Sequence, residues 1–311
     1  MSIYADQAWV HRFHDTLLLT YQQTSSIVKG LLDPMMIHHN VSAAIDYHER
    51  LGTGIANDVV SPYAATVAQN LNHSRRAVTL QSSDFTVLVS DENTLRSMVN
   101  SQSGYTQTIV AGMNRRSDKH VIDALIGTAS TASVTAGTGA ITYGTQAMLG
   151  AHQIGAATAM DLNRIINAAE LLSKAGVPND GRRRFLYSPG QLRDILAITQ
   201  ASSSDFTRNQ IHDKGTINGV SWEGFTWYEI ADVIQDDAST VLSRMLPVPS
   251  YRQCIAFHPS AIGLSIGKEI KTQLDPRPDL QSRPTQVRAS MIMAAVRVWE
   301  GGVVEVRALE N

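Results

Sequence analysis

The feature that most constrains the fold is a long polar segment, residues 51–74, which has little of its own to bury. It contains Gly52, Gly54 and Pro62 among many Asn, Ser, Thr and Ala residues. The surrounding stretch, residues 41–90, has the alternating apolar and polar pattern of strands. Long segments without regular structure are uncommon inside compact domains. We therefore expect residues 51–74 to be exposed, or to be held by something outside their own fold.

Composition points to a protein with a thin charged coat. Of 311 residues, 43% are hydrophobic and only 17% are charged, whereas about 25% charged is usual. This fits a surface covered by neighbours, and equally a low-charge monomer. The net charge of −2 gives no basic patch for gripping phosphate. The cations comprise 20 Arg and six Lys, a bias that fits interfacial or buried ion pairs.

The single cysteine, Cys254, lies in an apolar run, so we expect a buried thiol and no internal disulfide. The N-terminus has no basic region followed by an apolar core, and therefore does not resemble a signal peptide. Apolar runs also fall short of the roughly 18–20 residues that span a bilayer. These features predict a cytoplasmic protein without a membrane partner.

Residues 5–23 have a helical pattern that bears on assembly. Large apolar side chains recur at i+4, at Trp9, Phe13, Leu17 and Tyr21. The stripe could face the core of the chain. Because Gly30 and Asp33-Pro34 end the pattern early, this helix could equally be an arm that packs on another subunit.

Periodicity predicts a longer helix over residues 105–127. Its apolar face comprises Tyr105, Ile109, Met113, Val121 and Leu125, and we expect its polar side to comprise Arg115, Arg116, Asp118 and Lys119. Residues 128–145, rich in Thr, Ser, Ala and Gly, predict a flexible loop or a hairpin.

The C-terminal half alternates helices and strands. The patterns predict a helix over 161–175, a strand over 184–188, a helix from Pro189 to Ile198 and strands near 252–258. Pro276 and Pro278 indicate a loop, and residues 287–309 resemble a terminal β-hairpin turning at Gly301-Gly302. The chain is thus predicted to be mixed α+β.

Motifs for catalysis or metal binding are absent from the sequence. The glycine-rich stretch 136–140 lacks the Gly-Lys-Ser/Thr ending of a phosphate loop. The close histidine groups, His11 with His14 and His38-His39, have no supporting acidic ligand at a suitable spacing. A Gly-x-Ser-x-Gly nucleophile motif is also missing. We therefore predict no enzyme activity, no cofactor and no metal.

Several ordered motifs together resemble one protein family. The first is Arg75-Arg76-Ala-Val-Thr, which precedes a strand and then Ser90-Asp91-Glu92. The second is Ser101-x-x-Gly104-Tyr105, and the third is the helix that starts Gly112-Met-Asn-Arg115-Arg116-Ser-Asp118 and runs to Gly127. The fourth is Leu172-x-x-Ala175-Gly-Val-Pro178, which continues to Arg182 and precedes a strand that ends at Ser188-Pro189. In this order they resemble, over nearly the whole chain, the major capsid proteins of tailed double-stranded DNA bacteriophages with the Hong Kong 97 fold.

The resemblance implies a division of the chain. Residues 1–40 would be an N-terminal arm, and 41–90 an extended E-loop that lies over a neighbouring subunit. Residues 91–155 would form a peripheral domain with its spine helix at 105–127, 156–282 an axial domain, and 283–311 strands that return to the peripheral domain. Trp9, Phe13, Leu17, Tyr21, Arg75, Arg76, Arg115, Arg116 and Asp118 would then be assembly residues.

The resemblance also implies self-assembly through pentamers and hexamers into an icosahedral shell, which encloses DNA without sequence-specific binding. No lysine lies between Lys29 and Lys119, so the lysine E-loop cross-link of some relatives is not expected. The chain begins almost at the arm, which implies a separate scaffolding protein. A portal protein and a possible cement or decoration protein would be further partners, with assembly in the host bacterial cytoplasm.

Two alternatives stay open at this point. An encapsulin-like nanocompartment shell shares the same fold but encloses a cargo enzyme. An ordinary α+β enzyme of unknown reaction would form a discrete small oligomer instead of shells.

Overall fold

The computed structural model describes most of the chain. The described residues are 23–59, 61, 63, 65, 68, 69, 71, 73–90, 102–134, 141–155, 158–198, 216–230, 252–281 and 283–309. The predicted helix over residues 5–23 lies almost entirely outside them. The described part contains three helices and 14 strands, so the mixed α+β prediction is confirmed.

A four-stranded sheet carries the longest helix. Its order is β1 (Ile37–His39), β12 (Ile262–Pro276), β13 (Thr285–Arg297) and β4 (Gln81–Val89). β1 runs parallel to β12, and the other neighbours are antiparallel. Helix α1 (Gln102–Ile126) covers one face of this sheet and shares a hydrophobic core with it.

Helix α1 follows the predicted periodicity closely. Ile109, Met113, Val121 and Leu125 are all buried, whereas Tyr105 is 39% exposed. The helix begins at Gln102 and ends at Ile126, which confirms the helix predicted over 105–127. One repeating apolar stripe therefore explains how this helix packs on its sheet.

A buried arginine holds the C-terminal end of α1. Arg297 donates to the carbonyls of Leu125 and Gly127, both at 2.8 Å, and to that of Gln146 at 3.2 Å. The last carbonyls of a helix have no partner within the helix, and a cation there also interacts favourably with the negative end of the helix dipole. Arg297 thereby fixes the end of α1 to β13.

A six-stranded sheet forms the second core. Its order is β7 (Gln153–Ile154), β14 (Val303–Ala308), β11 (Arg252–Phe257), β8 (Arg184–Tyr187), β10 (Phe225–Glu229) and β9 (Ser221–Trp222). Phe185 stacks on Trp227 with ring centroids 4.2 Å apart. Cys254 is buried in this core, as predicted. The predicted strands at 184–188 and 252–258 are confirmed within a residue.

Helices α2 (Leu162–Lys174) and α3 (Pro189–Leu196) pack on this second core. The Asp161 carboxylate caps α2 by accepting from the Arg164 backbone N–H at 2.9 Å. The helix ends where Gly176 adopts a φ of +76°, a conformation that favours glycine. Both helices lie where the sequence predicted them, although α3 ends before Ile198.

A third sheet has the order β2 (Ile45–Leu51), β3 (His73–Thr79), β5 (Ala129–Val134) and β6 (Ile141–Gln146), with antiparallel neighbours throughout. Strands β5 and β6 form a hairpin, which resolves the two alternatives left open for residues 128–145. Strands β2 and β3 flank the polar segment with which the sequence analysis began.

The predicted terminal β-hairpin is wrong. β13 is paired on both edges, with β12 and β4, while β14 pairs with β11 and β7 in the other sheet. The short turn Glu300–Gly302 carries the chain from one sheet to the other. A Cβ on Gly302 would lie 2.5 Å from that of Ala261, so this glycine permits close packing instead of a hairpin turn. The loop predicted at Pro276 and Pro278 joins β12 to β13.

None of the helices in the described part of the chain is long and apolar enough to cross a membrane.

Candidate assembly interface

The extended loop, residues 52–72 between β2 and β3, presents apolar side chains to solvent. Ile55 is 81% exposed, Val59 83% and Tyr63 97%. Its two limbs touch each other, because Gln69 donates to the Asn57 side chain at 2.9 Å and Leu71 lies against Gly54. Side chains of this kind gain about 1.5–3 kcal/mol each when fully buried. The described part of the loop therefore offers apolar area that its own chain does not cover.

A charged clamp fixes the root of this loop. The Glu300 carboxylate accepts from Arg50 at 2.8 Å and from Arg76, and these two arginines lie on β2 and β3. Arg50 also lies over the Trp299 ring, 4.9 Å from its centroid. Burial lowers the pKa of Arg76, while the Glu300 carboxylate opposes that change. The Arg50–Glu300–Arg76 clamp thus ties both strands to the turn after β13.

Asp118 anchors the segment that precedes the first sheet. Its side chain is fully buried and accepts five hydrogen bonds from residues 23–29. The donors are Ser26 Oγ at 2.5 Å, Gln23 Nε2 at 2.7 Å, and the backbone N–H groups of Ile27, Val28 and Lys29 at 2.9, 3.0 and 3.3 Å. The prediction that Asp118 lies on the polar side of α1 is therefore wrong, because the carboxylate meets donors from a distant part of the chain.

Burial raises the pKa of Asp118, and the hydrogen bonds to Ser26 and to the backbone of residues 27–29 act in the opposite direction. Two further groups of α1 support the same segment. Arg115 donates to the Gln23 carbonyl at 3.3 Å, and Asn114 donates to the Thr24 carbonyl at 2.7 Å. Helix α1 therefore fixes the position of Gln23 and Thr24, where the described part of the chain begins.

The residues predicted to act in assembly lie, where the structure describes them, in separate groups. Arg75 and Arg76 lie at the root of the extended loop, where Arg75 is half-exposed and pairs with Glu49 at 2.7 Å. Arg115 and Asp118 lie against residues 23–29 instead. Arg116 is half-buried on α1 and, together with Lys119, helps to lower the pKa of His120. Trp9, Phe13, Leu17 and Tyr21 lie outside the described residues.

His120 on α1 titrates unusually. Burial first, and then the neighbouring cations Arg116 and Lys119, lower its pKa to about 4. Its Nε2 lies 3.5 Å from the Ser83 hydroxyl on β4. The ring is therefore neutral at neutral pH, and its protonation at lower pH destabilises the folded state.

Sequence analysis missed a polar cluster beside the loop root. His38 Nδ1 lies 2.6 Å from Asp46 Oδ2, and the Ser265 hydroxyl donates to the same oxygen at 2.7 Å. His48 Nε2 lies 3.1 Å from that hydroxyl. Burial and His38 lower the pKa of His48 to about 4, whereas Asp46 acts to raise it. His38 is adjacent to His39 in sequence, but its partners in space are Asp46 and His48 on β2 and Ser265 on β12, which the spacing of histidines does not indicate.

The clamp was missed for the same reason. Glu300 precedes Gly301-Gly302, which suggested only a turn, and its partners Arg50 and Arg76 lie more than two hundred residues away in sequence. A signal was present in Arg76, which the apolar residues Ala77 and Val78 follow in β3, since a cation that is buried with such residues needs a partner.

Comparison with known proteins identifies the family. A family model described as phage capsid protein matches residues 5–310, nearly the whole chain. The chain belongs to the phage capsid protein family. No curated protein matches this sequence.

Solved structures agree on the fold of this capsid protein. The capsid of cyanophage P-SCSP1u superposes with a TM-score of 0.72 at 11% identity, covering 98% of this chain and 94% of that one. The capsid of Helicobacter pylori bacteriophage KHP30 gives 0.71 at 9%, covering 100% and 98%. A chain of Mycobacterium phage Che8 gives 0.69 at 16%, covering 96% and 97%.

The fold of the capsid protein is therefore the Hong Kong 97-like fold, as the resemblance predicted. Its role is structural, in the shell of the virion, and it is not an enzyme. The comparisons support neither the nanocompartment nor the enzyme alternative.

Proposed function

We propose that this capsid protein assembles with its own copies, through pentamers and hexamers, into an icosahedral shell around double-stranded phage DNA. The observation that carries the proposal is the exposure of Ile55, Val59 and Tyr63 on the extended loop. Exposed apolar side chains on a projecting loop are typical of a surface that another chain covers. The loop root is held by the clamp, so the loop meets its neighbour from a fixed direction.

The proposed division of labour follows the resemblance. Residues 1–40 act as the N-terminal arm, 41–90 as the E-loop, 91–155 and 283–311 as the peripheral domain, and 156–282 as the axial domain. The six-stranded sheet with α2 and α3 supports a separate axial core. β14, from the range 283–311, belongs to that sheet, whereas β12, from the range 156–282, pairs with β13 in the first sheet. Within one chain, each proposed domain therefore contributes a strand to the sheet of the other.

The nine proposed assembly residues act in two ways. Arg75 and Arg116 retain exposed surface and can contact a neighbour directly, as can the stripe of Trp9, Phe13, Leu17 and Tyr21 on the arm. Arg76 acts by positioning the loop root. Arg115 and Asp118 act by positioning residues 23–29 of the proposed arm. Direct contacts by Arg76 or Asp118 are not proposed, because both side chains are buried within their own chain.

The shell is proposed to be non-covalent. The absence of lysine between Lys29 and Lys119 removes the amine that a loop isopeptide bond requires. Strength would come instead from apolar burial repeated at several interfaces per subunit. A separate scaffolding protein, a portal protein and a cement or decoration protein are the proposed partners, with assembly in the cytoplasm of the host bacterium.

Expression of the full chain followed by gradient sedimentation and negative-stain electron microscopy tests the proposal. We expect shells, or pentamers and hexamers, from the natural sequence. Ile55→Asp combined with Tyr63→Asp should abolish shells but leave a folded subunit, and the conservative control Ile55→Val should assemble normally. A small oligomer of two to four subunits from the natural chain, without shells, would contradict the proposal.

A further inference from the structure

Two histidines and an aspartate meet at the root of the extended loop, and the proposed assembly makes no use of them. We propose that His38, Asp46 and His48 bind one divalent transition-metal ion of the zinc class. Their candidate ligand atoms all lie within 4.8 Å of one another. The Ser265 hydroxyl, 2.7 Å from Asp46 Oδ2, completes the polar lining of this site.

Strand pairing brings these side chains together. In the parallel pairing of β1 with β12, His38 stands opposite Ser265, so their side chains share one face of the first sheet. Asp46 and His48 are two residues apart on β2, and therefore point to the same side of that strand. Strand β2 belongs to the third sheet, so the site lies where the first and third sheets meet.

The geometry requires one side chain to move. A tetrahedral zinc ion with ligands at about 2.0–2.2 Å keeps its ligand atoms roughly 3.4 Å apart. At present the two imidazole rings stack, with centroids 4.1 Å apart and planes inclined by 15°. Two stacked rings cannot both aim a nitrogen lone pair at one ion, so one of them must turn.

His38 is the ring that can turn. Its side chain is 40% exposed, whereas His48 is buried, with its ring where a Cβ on Gly263 would otherwise lie. Rotation of His38 about its side-chain bonds aims Nδ1 at an ion placed between Asp46 and His48. The ion then replaces the direct His38–Asp46 hydrogen bond, and one coordination position is left for the Ser265 hydroxyl or water.

The donor set selects the class of ion. Two imidazole nitrogens and one carboxylate oxygen suit Zn²⁺, Co²⁺ and Ni²⁺, whereas Mg²⁺ and Ca²⁺ prefer oxygen ligands only. A bound ion would connect β1 with β2, and with β12 where the Ser265 hydroxyl coordinates, and so would fasten the loop root to the end of the proposed arm. We therefore expect binding to stabilise the subunit irrespective of whether it has assembled.

The test uses the purified full chain after treatment with a chelator and dialysis. Cobalt is titrated with detection of its visible absorption, and zinc is titrated by calorimetry. We expect one ion per chain, and a rise in melting temperature of roughly 5 °C at saturating zinc. Mg²⁺ and Ca²⁺ at the same concentrations should produce neither the stoichiometry nor the rise.

Variants separate this site from adventitious binding. His38→Gln and Asp46→Asn should each weaken binding by roughly tenfold or more, while the neighbouring control His39→Gln should bind as the natural chain does. If Asp46→Asn fails to fold by circular dichroism, the half-exposed His38 provides the deciding variant. Absence of stoichiometric binding, or equal binding by the His38 and His39 variants, would overturn the proposal and leave a hydrogen-bonded network only. Neither result depends on shell formation.

Discussion

Replacement of Asp118 by asparagine tests how this carboxylate holds residues 23–29 on α1, without creating a cavity. All five partners of Asp118 are donors: Oδ1 accepts from Ser26, Val28 and Lys29, and Oδ2 accepts from Gln23 and Ile27. An asparagine can present only one oxygen to these donors. Its amide nitrogen is itself a donor, so either orientation places an NH₂ group against a backbone N–H.

The magnitude follows from this mismatch. The favoured orientation retains the three bonds to the oxygen and loses two, one of which is a backbone N–H. A buried donor without a partner costs about 1–3 kcal/mol, and a bond to a charged group contributes about 1.5–3 kcal/mol. Asparagine also avoids burial of a charge, an expense visible in the raised pKa of Asp118. We therefore expect Asp118→Asn to lower the free energy of unfolding by about 2–3 kcal/mol.

Urea unfolding of the unassembled full chain, followed by tryptophan fluorescence, measures this loss. Limited proteolysis should in parallel show faster cleavage near residues 23–29. Asp84→Asn is the matched control, because Asp84 is 55% exposed and only pairs with Arg288 at 3.5 Å; its effect should stay below about 0.5 kcal/mol. If Asp118→Asn is as stable as the natural chain, the carboxylate is not the acceptor that holds this segment.

Two further substitutions probe buried charges, and a change of pH probes the buried imidazole of His120. Glu300→Gln should lower the free energy of unfolding by about 3 kcal/mol, because it leaves Arg76 buried without a counter-charge, whereas Glu49→Gln on the exposed surface should change it by less than about 0.5 kcal/mol; urea unfolding compares the two. Arg297→Lys should cost about 2 kcal/mol, since an ammonium cannot serve carbonyls on separate elements as a guanidinium does, and hydrogen exchange should quicken first at the end of α1. The pKa of His120 is about 4 in the folded state against an ordinary 6.5, so the imidazole takes up its proton at a lower pH in the folded state than in the unfolded state. Stability is therefore full above pH 6.5 and falls toward pH 4, by about 3 kcal/mol for this group. Urea unfolding across that range should show the natural chain losing stability relative to His120→Gln.

Local patterns were sufficient to predict much of the fold. The stripe through Ile109, Met113, Val121 and Leu125 located α1, because burial on one helical face repeats at a fixed spacing. The helix predicted over 161–175 ends just before Gly176, a residue type that adopts the left-handed conformation found there. The alternation before Val89 located β4. Each of these signals depends on neighbours in sequence, so a single sequence contains it.

Features that depend on distant partners escaped prediction. Nothing in the alternating pattern of residues 303–308 states which sheet β14 joins, and a hairpin with β13 is the local choice. Because β13 already pairs on both edges, with β12 and β4, it has no free edge for β14. Asp118 and Glu300 resembled ordinary surface acids, because their donors lie in segments far away in sequence. The cluster of His38, Asp46 and His48 likewise exists only where two sheets meet.

The abundance of arginine acquires a different meaning from the one that composition suggested. Arg164 and Arg183 are buried side chains that donate mainly to backbone carbonyls near helix α2, as Arg297 does at the end of α1. A planar guanidinium carries five donors on three separate nitrogens, so it reaches more widely spaced carbonyls than the three donors on the single nitrogen of a lysine. Part of the arginine excess therefore stabilises the inside of one subunit and does not reach a neighbour. In the non-covalent shell that we propose, cohesion therefore rests more on apolar surfaces such as the extended loop, and we expect it to persist at salt concentrations that screen exposed ion pairs.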